Sequence, residues 1–200
     1  YLMGLSPLKI KKKLFHFFKN KKSLIISKRY TKKIYQKKIK ALDFFNYVPQ
    51  LNDYLFWCQQ LLAESLGKKG KGLLPIISSL PKDNHSVMQL YLDGFKNNFF
   101  TFFFVKENNS TKIKNDEILE NFQHLKNKNL NEIMYAQKKA TENVFKTKNI
   151  PFRSFEVNRR DEKTLGELFC FFILETILIG KCLNINPVSY THLTLPTNGT

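Results

Sequence analysis

Arginine is nearly missing from a chain that is otherwise rich in positive charge. Of its 33 basic residues only Arg29, Arg153, Arg159 and Arg160 are arginines; the others are lysines. Bidentate recognition of bases and phosphates favours the planar guanidinium. The formal net charge of +17 over 200 residues therefore reads mainly as solvated lysine surface, with small anionic substrates the next explanation. An A/T-biased coding sequence produces the same abundance of Lys, Asn, Phe and Ile. Motifs that interleave aromatic and basic residues are missing too, so no nucleic acid is expected as a partner. Cysteine is scarce: Cys58, Cys170 and Cys182 are odd in number and lack C-x-x-C spacing. That pattern predicts buried thiols in a reducing, cytoplasmic setting and argues against a disulfide framework. No two of His16, His85, His124 and His192 have metal-ligand spacing, so no metal site is expected. Long apolar runs are lacking as well. The segment 168–180 is interrupted by Glu175 and is shorter than the ~20 residues of a membrane span. Lys9 and Lys11 to Lys13 break up any leader-like run at the start. No membrane is expected as a partner.

What is present is ample material for a core: 42% hydrophobic residues, 19 of them Phe. Residues 23–27 (SLIIS) and 39–48 (IKALDFFNYV) read as strands, the second closed by Pro49. Leu51, Leu55, Cys58, Leu62 and Leu66 recur at helical spacing, and Gly67 stands where that helix should stop. A strand at 73–80, a short helix over about 85–93 and the continuous run FFTFFFV at 99–105 follow. A run apolar at every position implies a strand covered on both faces. Beyond it come a polar helical region over about 116–148, an alternating strand FRSFEV, and a helix over about 164–183 that is apolar nearly all round and so buried. Strands alternating with helices predict an α/β fold, a three-layer α/β/α sandwich with a mainly parallel sheet. Ligands of such sheets sit in loops at the carboxyl ends of strands.

Two phrases carry the chemistry. In QQLLAESLGKKGKG, Gln60 and Glu64 stand four apart on the predicted helix, so their side chains share one face. Taken alone, an acid near the end of an apolar helix is more often an ordinary boundary residue. The GKKGKG loop that follows shifts that balance, because glycines let backbone amides approach a ligand while Lys68, Lys69 and Lys71 supply charge. It is not a nucleotide loop, since it lacks G-x-x-x-x-G-K-[ST] and follows a helix. In LPKDNHSVMQLYLDG, Asn84 reads as a helix cap that puts His85 in the first turn, where imidazolium is disfavoured. Alone, such a histidine is more often structural.

Together these phrases closely resemble the phosphoglucose isomerase family. A-E-S-x-G-K, then P-K-D-x-H-S, then the L-G-E-L…E-T…G…L-x-I-N-P of residues 165–187, occur here in the family's order. The resemblance implies an aldose–ketose isomerase of glucose 6-phosphate and fructose 6-phosphate, working without metal or organic cofactor. It also implies a homodimer of sugar-isomerase (SIS-type) α/β/α domains. Glu64 then stands at the position of the catalytic base that moves a proton between sugar C2 and C1 through a cis-enediol. Gln60 stands at a substrate-contacting position. His85 matches the histidine that assists ring opening and reaches the site from the other subunit. Burial of Glu64 against apolar helix neighbours is expected to raise its pKa from ~4.3 and make it a better base.

The resemblance also defines what these 200 residues do not contain. The G-G-R-[FY]-S arginine motif, the phosphate-binding Ser/Thr loops, and the F-D-Q and G-V-E-x-x-K segments that the family places after I-N-P are absent. Residues 1–187 are thus expected to be a truncated second SIS-type domain, with 188–200 an unrelated, non-native tail and the chain inactive by itself. A non-catalytic sugar-phosphate-binding module of the same fold is the competing reading. The joint presence of Gln60, Glu64 and His85 argues against it, since a binding module needs no base.

Overall fold

The computed structural model describes residues 29, 31, 32, 34, 36, 38–107, 112, 113 and 120–187. The strand expected at 23–27 and the tail 188–200 lie outside these. Four strands form one parallel sheet: β1 (Ala41–Asn46), β2 (Leu74–Ser79), β3 (Asn98–Val105) and β4 (Phe152–Val157), in the order β2-β1-β3-β4. Among the described residues the α-helices with full bounds are α1 (Asn52–Leu66), α2 (Asp83–Ser86), α3 (Met88–Asp93), α4 (Leu130–Thr147) and α5 (Glu162–Cys182). The parallel α/β class expected from alternating strand and helix patterns is the one observed. By contact the chain divides into two units, one of Tyr1–Lys40, Trp57–Leu74 and Glu162–Thr200, the other of Ala41–Phe56 and Pro75–Asp161.

The second unit holds the aromatic core. β1 pairs with β3 from Ala41↔Asn98 to Asn46↔Phe103, and β3 with β4 from Phe100↔Phe152 to Val105↔Val157. All eight residues of β3 are buried, as a nearly continuous apolar run requires when both faces of a strand are covered. Because successive side chains alternate between faces, Phe100, Phe102 and Phe104 join Phe45, Tyr47, Tyr91 and Phe145 in one cluster. Phe145, from α4, sits edge-on to Phe45, Phe100 and Phe102 at ring distances of 5.7, 4.9 and 5.5 Å. The opposite face carries Phe44, Phe103 and Phe155, with Phe103 and Phe155 stacked at 5.2 Å.

Two helical expectations are corrected. The polar region over 116–148 is not one helix among its described residues, because a 3-10 segment, Glu120–Leu125, breaks at Phe122. The α-helix begins only at Leu130, where Asn129 and Glu132 close a capping box: the Asn129 side chain accepts from Glu132 N at 2.8 Å and the Glu132 carboxylate from Asn129 N at 2.9 Å. The helix expected over 85–93 is instead two short ones, separated at Val87, whose φ of −115° and ψ of −8° depart from ideal helical values. In the other unit, α5 buries Phe171, Phe172, Glu175 and Ile179, in line with its apolar composition.

Candidate functional site

α1 sets the first pair of functional side chains. Cys58, Leu62 and Leu66 recur every fourth residue and are buried. Residues two places from that stripe lie about 200° around the helix, so Gln60 and Glu64 fall on the opposite, exposed side. There the Gln60 amide donates to Glu64 Oε1 at 2.8 Å. The spacing argument thus holds for the pair. The expected burial of Glu64 does not, because the same periodicity that buries the leucines turns its carboxylate outward.

The glycine–lysine loop is built differently from its sequence reading. Gly67 ends the helix, its N–H meeting Ala63 O at 2.9 Å. At Gly72, φ is 139° and a Cβ would lie 3.2 Å from the Leu66 carbonyl oxygen, so only glycine fits. Lys68, expected to offer charge to a ligand, is buried and donates to the Asn186 carbonyl at 3.1 Å. Lys71 donates to the Leu183 carbonyl at 2.7 Å. Both lysines therefore tie the loop to the turn that follows α5, whereas Lys69 is exposed.

His85 belongs to the other unit, in the segment leaving β2. Asn84 is not a helix cap; the N-cap position is Lys82, and Asn84 lies inside the four-residue α2. Asp83 takes the organising role instead, its carboxylate accepting from Ser79 N at 2.7 Å and from the Ser86 hydroxyl at 3.4 Å. That arrangement puts His85, exposed, in the last turn of a one-turn helix rather than the first turn of a longer one. The GKKGKG loop enters β2 at its amino end and Pro81 to His85 leave it at its carboxyl end. Of the two phrases, the second is thus the one that stands at a carboxyl-end loop. Gln60 and Glu64 are brought together; His85 is not joined to them by any contact within its own unit.

Two polar clusters escaped the sequence reading. Asp43, in the middle of β1, is fully buried, and neither carboxylate oxygen has a hydrogen-bond partner at normal length. Burial pushes its pKa up to about 7, eased by the Tyr91 hydroxyl, which itself lies 2.9 Å from that of Ser78. Its signal was available: an acid inside a strand otherwise apolar at nearly every position has no exposed face to occupy. The second cluster lies under α4. Lys138, fully buried, pairs with Glu142 and Glu156, each at 2.7 Å, and Lys139 pairs with the same two at 3.1 and 2.9 Å. Burial opposes ionisation of Glu156, but bonds from Lys138, Lys139 and Lys106 outweigh it and bring the pKa down to about 2. Among the described residues no group of three His, Cys, Asp or Glu side chains could hold a metal ion, and no helix is long and apolar enough to cross a membrane.

A four-stranded parallel sheet in the order β2-β1-β3-β4 with accompanying helices defines an α/β protein. No family profile matches the chain, but individual proteins do. It is 36% identical to a probable glucose-6-phosphate isomerase of Methanococcus maripaludis over 141 residues, 70% of this chain and 31% of that one. It is 34% identical to the glucose-6-phosphate isomerase of Campylobacter jejuni over 175 residues, 85% of this chain and 43% of that one. The fold matches a hypothetical protein of Thermus thermophilus with a TM-score of 0.71 at 19% identity, covering 84% of this chain and 46% of the other. It matches a glucose-6-phosphate isomerase structure from Chlamydia trachomatis with a TM-score of 0.61 at 15% identity, covering 76% and 32%. The chain is a homologue of the glucose-6-phosphate isomerases over part of their length: it spans about a third to two fifths of the curated relatives it matches.

Proposed function

We propose that this chain is a portion of a glucose-6-phosphate isomerase, interconverting glucose 6-phosphate and fructose 6-phosphate in the cytoplasm as part of a homodimer. The observation that carries the reading is the Gln60–Glu64 hydrogen bond at the head of the A-E-S-x-G-K phrase. An amide that donates to one carboxylate oxygen fixes the group's orientation and leaves the other oxygen to take a proton. In this reading the substrate ring opens with help from His85 of a second copy. The Glu64 carboxylate then removes the C2 proton, and the C2 electron pair forms the C1–C2 double bond while the C1 oxygen becomes an enediolate. The carboxyl group then delivers to C1 the proton it holds, the original one or one exchanged with water, and the O2 proton moves to O1, leaving the C2 ketone and a C1 hydroxyl. No electrons are gained or lost, so proton transfer alone completes the reaction and no organic cofactor is required.

The reading is tested by exchanging the matching segment of the Campylobacter jejuni relative for this chain's and running the reaction in deuterium oxide. The chimera is expected to isomerise glucose 6-phosphate and to place deuterium at C1 of the product, and Glu64→Gln is expected to remove both. Isomerisation without any solvent deuterium in the product would contradict a carboxylate that exchanges its proton with water between the two steps.

A further inference from the structure

We propose that the unit containing α5 holds a binding site for a small phosphate monoester with an apolar substituent. The proposal does not rest on the isomerase reading. A cavity of about 240 Å³ opens beside the glycine–lysine loop, below the ~300–1,000 Å³ of sites for drug-sized ligands, which matches a small metabolite. Lys38, Lys40 and Lys71 line it, and no carboxylate side chain does among the described residues. Lys71 is held in place by its bond to the Leu183 carbonyl, and an ammonium with one donor engaged keeps two more. Three ammonium groups with no counter-charge match a phosphate dianion better than a single carboxylate.

A further observation points to a ligand. Thr31 lines the same cavity, is buried, and its hydroxyl lacks a hydrogen-bond partner among the described residues. A buried hydroxyl left unpaired costs ~1–3 kcal/mol, which an accepting ligand oxygen would recover. The rest of the wall is apolar, from Ile34, Ile39, Leu73 and Ile179, all buried. Free phosphate would leave that wall uncovered; an ester with a short apolar group would cover it.

The test uses the 200-residue chain and phenyl phosphate, followed by calorimetry and by alkylation. Cys182 lines the cavity and is exposed, whereas Cys170 is not a lining residue. Saturable binding of phenyl phosphate is expected, with inorganic phosphate and phenol each at least about tenfold weaker. Saturating phenyl phosphate should slow alkylation of Cys182 by iodoacetamide and leave Cys170 unchanged. The double variant Lys38→Gln, Lys40→Gln changes two exposed side chains and is expected to keep its circular dichroism while losing about tenfold in affinity. The proposal is overturned by any of three results: no saturable binding, an unchanged alkylation rate at Cys182, or equal affinity in the double variant.

Discussion

Asp43 shows how one residue can set the pH response of a whole unit. Its pKa is raised from 3.8 to about 7 in the folded chain, so the folded state binds a proton that the unfolded state has already released. Stability is therefore unaffected by this group below about pH 4 and falls as pH rises through the window from about 4 to 7. Full ionisation opposes folding by about 4 kcal/mol, three pKa units at ~1.36 kcal/mol each. Chemical denaturation across that window should show the loss, and Asp43→Asn should abolish it and raise stability at pH 8. A pH-independent midpoint between 4 and 7 in the unsubstituted chain would refute the assignment. Glu156 acts in the opposite sense and in a lower window: its pKa, brought from 4.5 to about 2, gives stability present above 4.5 and lost as pH falls toward 2. Removing Lys138 instead leaves Glu142 and Glu156 partly stranded, and Lys138→Ala should cost ~3–5 kcal/mol.

At the scale of elements, α4 is joined to the sheet chiefly through Phe145. Its ring contacts four others, Phe45, Phe100, Phe102 and Phe152, so Phe145→Ala should destabilise by ~3–5 kcal/mol. Thermal or urea unfolding of the variant would reveal this, and a cost under 1 kcal/mol would mean that the cluster repacks around the gap. These elements also show what was legible beforehand. β3 could be read directly, because a seven-residue run with six apolar positions, too short for a helix, admits few placements. α1 and its stop at Gly67 followed from a four-residue leucine spacing and one glycine. The helix expected at His85 could not be read in the same way. Asn84 and Asp83 are both capping residue types, and the choice between them depended on Ser79 N, a group four residues away along a strand. The burial of Glu64 was misjudged for a related reason: an apolar helix signals that some face is covered, but only the register of Cys58, Leu62 and Leu66 says which. The Gln60–Glu64 contact itself was legible, since spacing alone fixes it.

For the molecule as a whole, the question is how much of a reaction these residues can perform. The 200 residues contain the proposed base, the glutamine beside it and the histidine proposed to assist ring opening. They do not contain the arginine of G-G-R-[FY]-S or the lysine of G-V-E-x-x-K that the resemblance assigns to the reaction. The purified 200-residue chain is accordingly expected to show no isomerisation above the uncatalysed rate in an assay coupled to glucose 6-phosphate oxidation, and measurable turnover would overturn that expectation. The most direct test of the central claim, that the Glu64 carboxylate is the base, is kcat for Glu64→Gln in the Campylobacter jejuni chimera. General acid–base catalysis contributes about 10²–10⁴-fold, so kcat should fall by that factor, about 3–5 kcal/mol of barrier. A variant that keeps kcat within about twofold of its parent would contradict the account.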